Sequence, residues 1–203
     1  MFTGLIREIA TVKSYQNNIL TLNAKHKPSL GDSIAVNGTC LTVIGFSEGE
    51  FSVELADETR KIIDLDRLNG KVHIEPAMSM GDRFDGHIVQ GHIDTIGEVV
   101  KIQKQQNGVD FHIKVESRYL DEIVPKGSIT IDGVSLTVNS VESDSFRLTI
   151  IPHTIENTII KEYKVGTKVN IETDMFAKYI KHILGYRKKD VSWDEIDRKN
   201  FTY

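Results

Sequence analysis

Apolar side chains recur at every second position in short runs along most of the chain: Leu20/Leu22, Phe51/Val53/Leu55, Val72/Ile74, Phe111/Ile113/Val115, Ile129/Ile131 and Phe146/Leu148/Ile150. A period of two sends one face of an extended strand into a core and the other face outward. Gly, Asn, Asp and Pro punctuate the runs, so the predicted elements are short antiparallel strands, five or six in each half of the chain. Closing such strands into barrels removes exposed edges. One segment follows a different period. After Asp174, an acceptable N-cap, Phe176, Tyr179, Ile180, Ile183 and Leu184 fall at i, i+3, i+4, i+7 and i+8, the stripe of an amphipathic helix. Gly185 is placed to stop it. The stripe either docks on its own barrel or meets copies of itself in an oligomer. From Arg187 to Tyr203 charges mix with Trp193 and Phe201, which reads as a solvated tail with an aromatic foothold.

The pattern also repeats. Gly4-Leu5-Ile6 matches Gly91-His92-Ile93. Ser33 to Val43 matches Ser128 to Val138, and Lys71-Val72-His73-Ile74-Glu75 matches Lys168-Val169-Asn170-Ile171-Glu172. The blocks are collinear, at an offset that grows only slightly along the chain. The period is far longer than the roughly 20 to 50 residues of a solenoid unit, so the chain is a duplicated domain. The first copy covers residues 1–80, the second 81–174, and the helix with its tail 175–203. The segment Pro76 to Gly81 connects the copies.

Composition narrows the function classes. Of 203 residues 39% are hydrophobic and 27% charged, as in an ordinary globular chain. A net charge of −4 supplies no field for binding nucleic acid through its phosphates. The single cysteine, Cys40, excludes an internal disulfide and fits a reducing cytoplasm. The N-terminus has no basic region followed by an apolar one, and no apolar run reaches membrane-spanning length. The expectation is a cytoplasmic protein that binds neither nucleic acid nor membrane.

Candidate chemistry lies where the copies share a framework and differ in polar groups. Leu41 and Val43 fall on one strand face, Cys40 and Thr42 on the other; in the second copy Leu136 and Val138 oppose Ser135 and Thr137. Asn37 pairs with Asp132, Leu5 with His92, Glu58 with His153, and Ala77 with Asp174. Two similar sites with different polar groups suit two similar ligands in different roles, although neutral divergence would produce such pairs too. His87 and His92, five apart, would fall on opposite faces of a strand, and no metal-ligand spacing accompanies them. Phosphate-binding loops and a serine-hydrolase elbow are absent from the sequence.

Met1-Phe2-Thr3-Gly4-Leu5, Asn37-Gly38-Thr39-Cys40-Leu41-Thr42-Val43, Gly86-His87 with Gly91-His92-Ile93-Asp94, Ile131 to Val138, Ile151-Pro152-His153-Thr154 and Asn170 to Asp174 together resemble the riboflavin synthase family of the alpha-chain type. The resemblance runs in order from Met1 to about Gly185. It implies an all-β fold of two tandem, homologous six-stranded Greek-key β-barrels followed by a C-terminal α-helix that joins three subunits. It implies a transferase that works without a cofactor on two molecules of 6,7-dimethyl-8-ribityllumazine. One gives a four-carbon unit to the other, yielding riboflavin and 5-amino-6-ribitylamino-2,4(1H,3H)-pyrimidinedione, with one molecule on the N-terminal barrel and the other on a neighbour's C-terminal barrel. Lumazine synthase, which makes the substrate, is the candidate partner beyond the homotrimer. Carried over by motif, one site comprises Cys40, Leu41 and Thr42 with Glu54, Leu55, Ala56, Asp57, Glu58 and Thr59. The other comprises Ser135, Leu136 and Thr137 with Ile150, Ile151, Pro152, His153, Thr154 and Ile155. Gly4, Leu5, Ile6, Gly91, His92, Ile93 and Lys126 complete the two. Cys40 is the candidate for assisting addition to the ring and His92 for proton transfer; Ser135, Asp132 and Asp174 are expected to orient the ligand. His153 stands where the family usually has Glu, and Arg60 where Leu is common. A binding-only antenna protein of the same family is the rival reading. Retention of Cys40, Thr42, His92, Ser135, Thr137 and Asp174 favours the enzyme.

Overall fold

The computed structural model describes residues 1–190; the aromatic foothold expected at Trp193 and Phe201 lies outside them. Strands β1 (Glu8–Gln16), β2 (Ile19–Asn23), β3 (Ser33–Val36), β4 (Thr39–Ser47), β5 (Glu50–Glu54) and β6 (Lys71–Pro76) form a closed antiparallel barrel in the order β1-β2-β5-β4-β3-β6. Strands β7 (Thr95–Gln105), β8 (Gly108–Lys114), β9 (Ser128–Ile131), β10 (Val134–Val141), β11 (Ser145–Ile150) and β12 (Lys168–Thr173) close a second barrel with the same Greek-key order. The alternating residues fill the interiors: Leu20, Leu22, Val53, Val72 and Ile74 in the first, Val99, Ile113, Ile131, Leu148 and Ile171 in the second.

Strands β6 and β12 are buried on both faces. Val72 and Ile74 point into the first core, while His73 and Glu75, 1% and 3% exposed, point outward and are covered all the same. What covers them is the second barrel and two irregular segments. His73 Nε2 accepts from Ile159 N (2.8 Å), so Nδ1 must carry the proton it gives to Asp132 O (2.9 Å). The equivalent Asn170 donates through Nδ2 to Asn37 O (2.9 Å). The two barrels therefore meet across a seam with approximate two-fold symmetry, one imidazole and one amide taking equivalent places.

Short helices add to the strands. Helix α1 (Asp57–Ile62) follows β5, α2 (Ser117–Leu120) precedes β9, and α3 (Pro152–Glu156) follows β11. One helical segment was predicted, and these three are additional. Four to six residues hold too little of a 3.6-residue period to read, although Pro152 at the first helical position is a start signal. Helix α4 (Met175–Asp190) passes through Gly185 instead of stopping there, because Gly185 does not take the positive φ that ends a helix. Asp174 Oδ1 accepts from Phe176 N (2.8 Å), an N-cap as predicted.

Candidate functional site

Two segments without regular structure, residues 1–6 and 86–93, run beside each other between the barrels; we call them straps. Phe2 N donates to Val89 O (2.8 Å), Val89 N returns a bond to Phe2 O (3.1 Å), and His87 N donates to Thr3 O (3.1 Å). Each strap then crosses to the barrel of the other copy. Gly4 O accepts from Ser135 N and Gly91 O from Cys40 N, both at 2.8 Å. Ile6 packs against the second core, and Ile93 belongs to the first. Both glycines are required twice over. Their φ values are +78° and +81°, and a Cβ on either would stand 2.6 Å from the Cβ of Ser135 or Cys40.

Crossing brings His92 to Cys40. Thr39, Cys40, Glu58, Thr59, Ile62, Ile63, Gly91, His92 and Ile93 line a cleft of about 160 Å³. Strand alternation in β4 buries Leu41 and Val43 and leaves Cys40 half-buried and Thr42 exposed, so the free thiol reaches the cleft while the strand stays anchored. His92 is exposed there, on the strap and not on a strand face.

The mirror position on the second barrel carries Ser135. Its Oγ lies 2.7 Å from His87 Nδ1. Burial holds His87 below the usual histidine range, with partial opposition from the Asp174 carboxylate, so the imidazole is neutral and one ring nitrogen is an acceptor. His87 was not among the predicted site residues. The strap has no strand period, so the spacing of its two histidines did not reveal that each serves a different barrel.

The structure separates the other predicted residues into groups. Leu41, Leu55 and Ile150 are core residues, with Leu136 packed against the core, so any ligand contact they make is through the main chain. Asp57, Glu58 and Thr59 lie on the first turn of α1, and Pro152, His153, Thr154 and Ile155 lie on α3; neither group continues a strand end. Glu54, Ala56, Thr137, Ile151 and His153 are exposed, and Lys126 is exposed on the turn before β9. Asp132, expected to orient the ligand, faces the seam between the barrels. Its side chain has no exposure, and it is engaged by Arg67 Nη1 (2.6 Å), Asn170 N (2.8 Å) and the Tyr163 hydroxyl. It is a seam residue, because the tight turn at Asp132-Gly133 points its carboxylate at β12 and away from the outward face of β10. Burial, and after it the Asp132 carboxylate, raise the Tyr163 hydroxyl well above its ordinary range.

A family model described as the lumazine binding domain matches residues 3–77 and again residues 90–174. The riboflavin synthase of Actinobacillus pleuropneumoniae is 44% identical over 193 residues, covering 91% of this chain and 90% of the relative. That of Bacillus subtilis (strain 168) is 42% identical over the same shares, and that of Photobacterium phosphoreum is 38% identical with 99% of both chains covered. Among solved structures, LumP complexed with riboflavin superposes with a TM-score of 0.76 at 21% identity, over 86% of this chain and 100% of that one. LumP complexed with 6,7-dimethyl-8-(1'-D-ribityl) lumazine gives 0.71 at 19%, over 86% and 99%. At such identity these superpositions speak for the fold alone.

Proposed function

The chain belongs to the riboflavin synthase family, and from that premise we propose that it converts two molecules of 6,7-dimethyl-8-ribityllumazine into riboflavin and 5-amino-6-ribitylamino-2,4(1H,3H)-pyrimidinedione. The carrying observation is the pair of half-sites at equivalent strand positions: a thiol with His92 on one barrel, a hydroxyl with His87 on the other. Such an arrangement suits a dismutation, because donor and acceptor are the same compound in opposite roles. The two products together contain all the atoms of the two substrates, so the exchange needs no external oxidant or reductant.

In this reading the 7-methyl carbanion of one lumazine is delocalised into its electron-poor ring, and holding two flat heterocycles together supplies much of the acceleration. Good orientation alone contributes about 7 to 11 kcal/mol. Cys40 assists addition to the ring bound on the first barrel, and His92 transfers the proton there. Ser135, oriented by His87, and Asp174 position the molecule on the second. Asp132 supports the hairpin that carries Ser135.

The substrate pair is assembled between subunits. A cleft of about 160 Å³ is well under the roughly 300 Å³ at which small-molecule sites begin, so a neighbour's barrel completes it. Helix α4 supports that arrangement. Phe176, Tyr179, Ile180, Ile183 and Leu184 are each 54–59% exposed, while the other face is tied to the second barrel by Lys178–Asp94 (2.7 Å) and Lys181–Glu122 (3.0 Å). The stripe is thus largely open to solvent, with Ile180 and Leu184 also edging a cleft beside Asp121 and Val124 of the second barrel, which favours self-association into a homotrimer. We take the compartment to be the cytoplasm, from the lone cysteine. The deciding experiment incubates the purified protein with 6,7-dimethyl-8-ribityllumazine and no added cofactor and follows riboflavin absorbance. Stoichiometric binding without riboflavin would leave a lumazine-binding protein and overturn the enzyme reading.

A further inference from the structure

The straps that wall the two half-sites are held by a pair of buried carboxylates. Glu172, on the outward face of β12 and 2% exposed, accepts Gln90 N at Oε1 (2.8 Å) and both Gly91 N (2.9 Å) and His92 N (3.1 Å) at Oε2. Glu75, on the outward face of β6 and 3% exposed, accepts Thr3 N (2.7 Å) and Thr3 Oγ1 (2.8 Å) at Oε1 and Gly4 N (3.0 Å) at Oε2. Each set is three donors converging on one side chain, across more than seventy residues of sequence. Neither carboxylate forms a salt bridge among the described residues.

Burying a carboxylate against uncharged donors, most of them main-chain N–H, is a costly way to fix a loop, and the fold does it at both equivalent positions. What each carboxylate fixes is a wall of the other barrel. Glu172 belongs to the second barrel, but the peptides it holds place Gly91 O on Cys40 N and carry His92 into the Cys40 cleft. Glu75 belongs to the first barrel and holds Gly4, whose carbonyl meets Ser135 N.

We propose that Glu172 and Glu75 are positioning residues for the two half-sites, Glu172 setting His92 against Cys40 and Glu75 setting Gly4 to Ile6 against Ser135. Each half-site is thereby aligned by the barrel that does not bear it. The proposal rests on the lumazine-dismutating reading for its kinetic consequence, and on geometry alone for its structural one. Burial raises both carboxyls despite the donors, which agrees with groups kept dry to hold peptide N–H.

The test uses the full chain with Glu172→Gln and Glu75→Gln, isosteric changes that set an amide NH2 against backbone donors. Amide hydrogen exchange is the readout independent of activity. In E172Q, Gln90, Gly91, His92 and Cys40 should lose protection while Ser135 keeps it; in E75Q, Thr3, Gly4 and Ser135 should lose it while Cys40 keeps it. Uniform acceleration across both barrels, or unchanged protection in the straps, overturns the proposal even if the protein makes no riboflavin. With lumazine as substrate, E172Q should lower kcat about 10- to 100-fold, the range of a sub-ångström to 1 Å misplacement, with KM within about threefold. Combined with His92→Ala, the E172Q loss should largely disappear into that of His92→Ala; combined with Ser135→Ala, the losses should multiply. Multiplication in both pairs would mean that Glu172 does not act through His92. Should E172Q fail to fold, the E75Q and Ser135→Ala pair decides the same question from the mirror side. Absence of riboflavin from the unmodified protein would instead remove the functional premise.

Discussion

Cys40 occupies the place in its barrel that Ser135 occupies in the other, and only the chemistry at that place differs. Replacing Cys40 by Ala should therefore remove turnover by at least about 100-fold while fluorescence titration shows lumazine binding changed by less than about threefold. Unchanged turnover would return Cys40 to a packing residue. Gly91 tests the same site from the strap. Gly91→Ala forces a side chain into φ +81° and 2.6 Å from the Cys40 Cβ, so calorimetry should show a loss of about 2 kcal/mol or more. The polar pairs Cys40/Thr42 and Ser135/Thr137 could be read from the sequence because strand alternation assigns faces locally. Glu75 and Glu172 could not. Comparison of the copies drew attention to positions that diverge, and these two are identical; their partners lie in straps without periodicity, far away in sequence.

Among the elements, α4 was the most legible and its environment the least. Its stripe follows from spacing alone, but spacing does not say which face meets the barrel. Lys178 and Lys181 decide this by pairing with Asp94 and Glu122, leaving the apolar stripe outward. Ile180→Glu should accordingly convert the proposed trimer to monomers in analytical ultracentrifugation and abolish turnover, with the near-ultraviolet circular dichroism of the barrels intact. A persisting trimer would rule out the helix as its joint. The turns of helix at α1 and α3 fell below what a periodic pattern can register, yet they supply Glu58 and Thr59 to the cleft and their mirror residues to the other barrel.

At the scale of the whole molecule, the seam carries a pH response. His73 is held below its ordinary value of 6.5, chiefly by burial, so the native state binds fewer protons than the unfolded chain once the pH falls under about 6.5. Stability contributed by the neutral imidazole is complete above that value and is lost as the pH falls through the lower native one. Glu75 and Glu172, raised from 4.5, act oppositely: their contribution is present at low pH and lost as the pH rises through their native values. The difference between the wild type and His73→Asn isolates the histidine. That variant should lose about 1 kcal/mol at neutral pH for the bond to Ile159 N, and the gap should narrow in chemical denaturation below pH 6. A constant gap would place the histidine's titration elsewhere. Duplication itself was plain in the sequence, whereas the exchange of straps was not, since it depends on contacts between copies.

That exchange has a bearing on ancestry. Trading arms reciprocally across a two-fold axis is how identical subunits make a dimer, and this chain has the form of such a dimer joined end to end. In a true homodimer every substitution appears twice, so both halves must keep the same side chain at that place. Once one polypeptide encodes both, a thiol can evolve on one side and a hydroxyl on the other without altering the interlock that holds them.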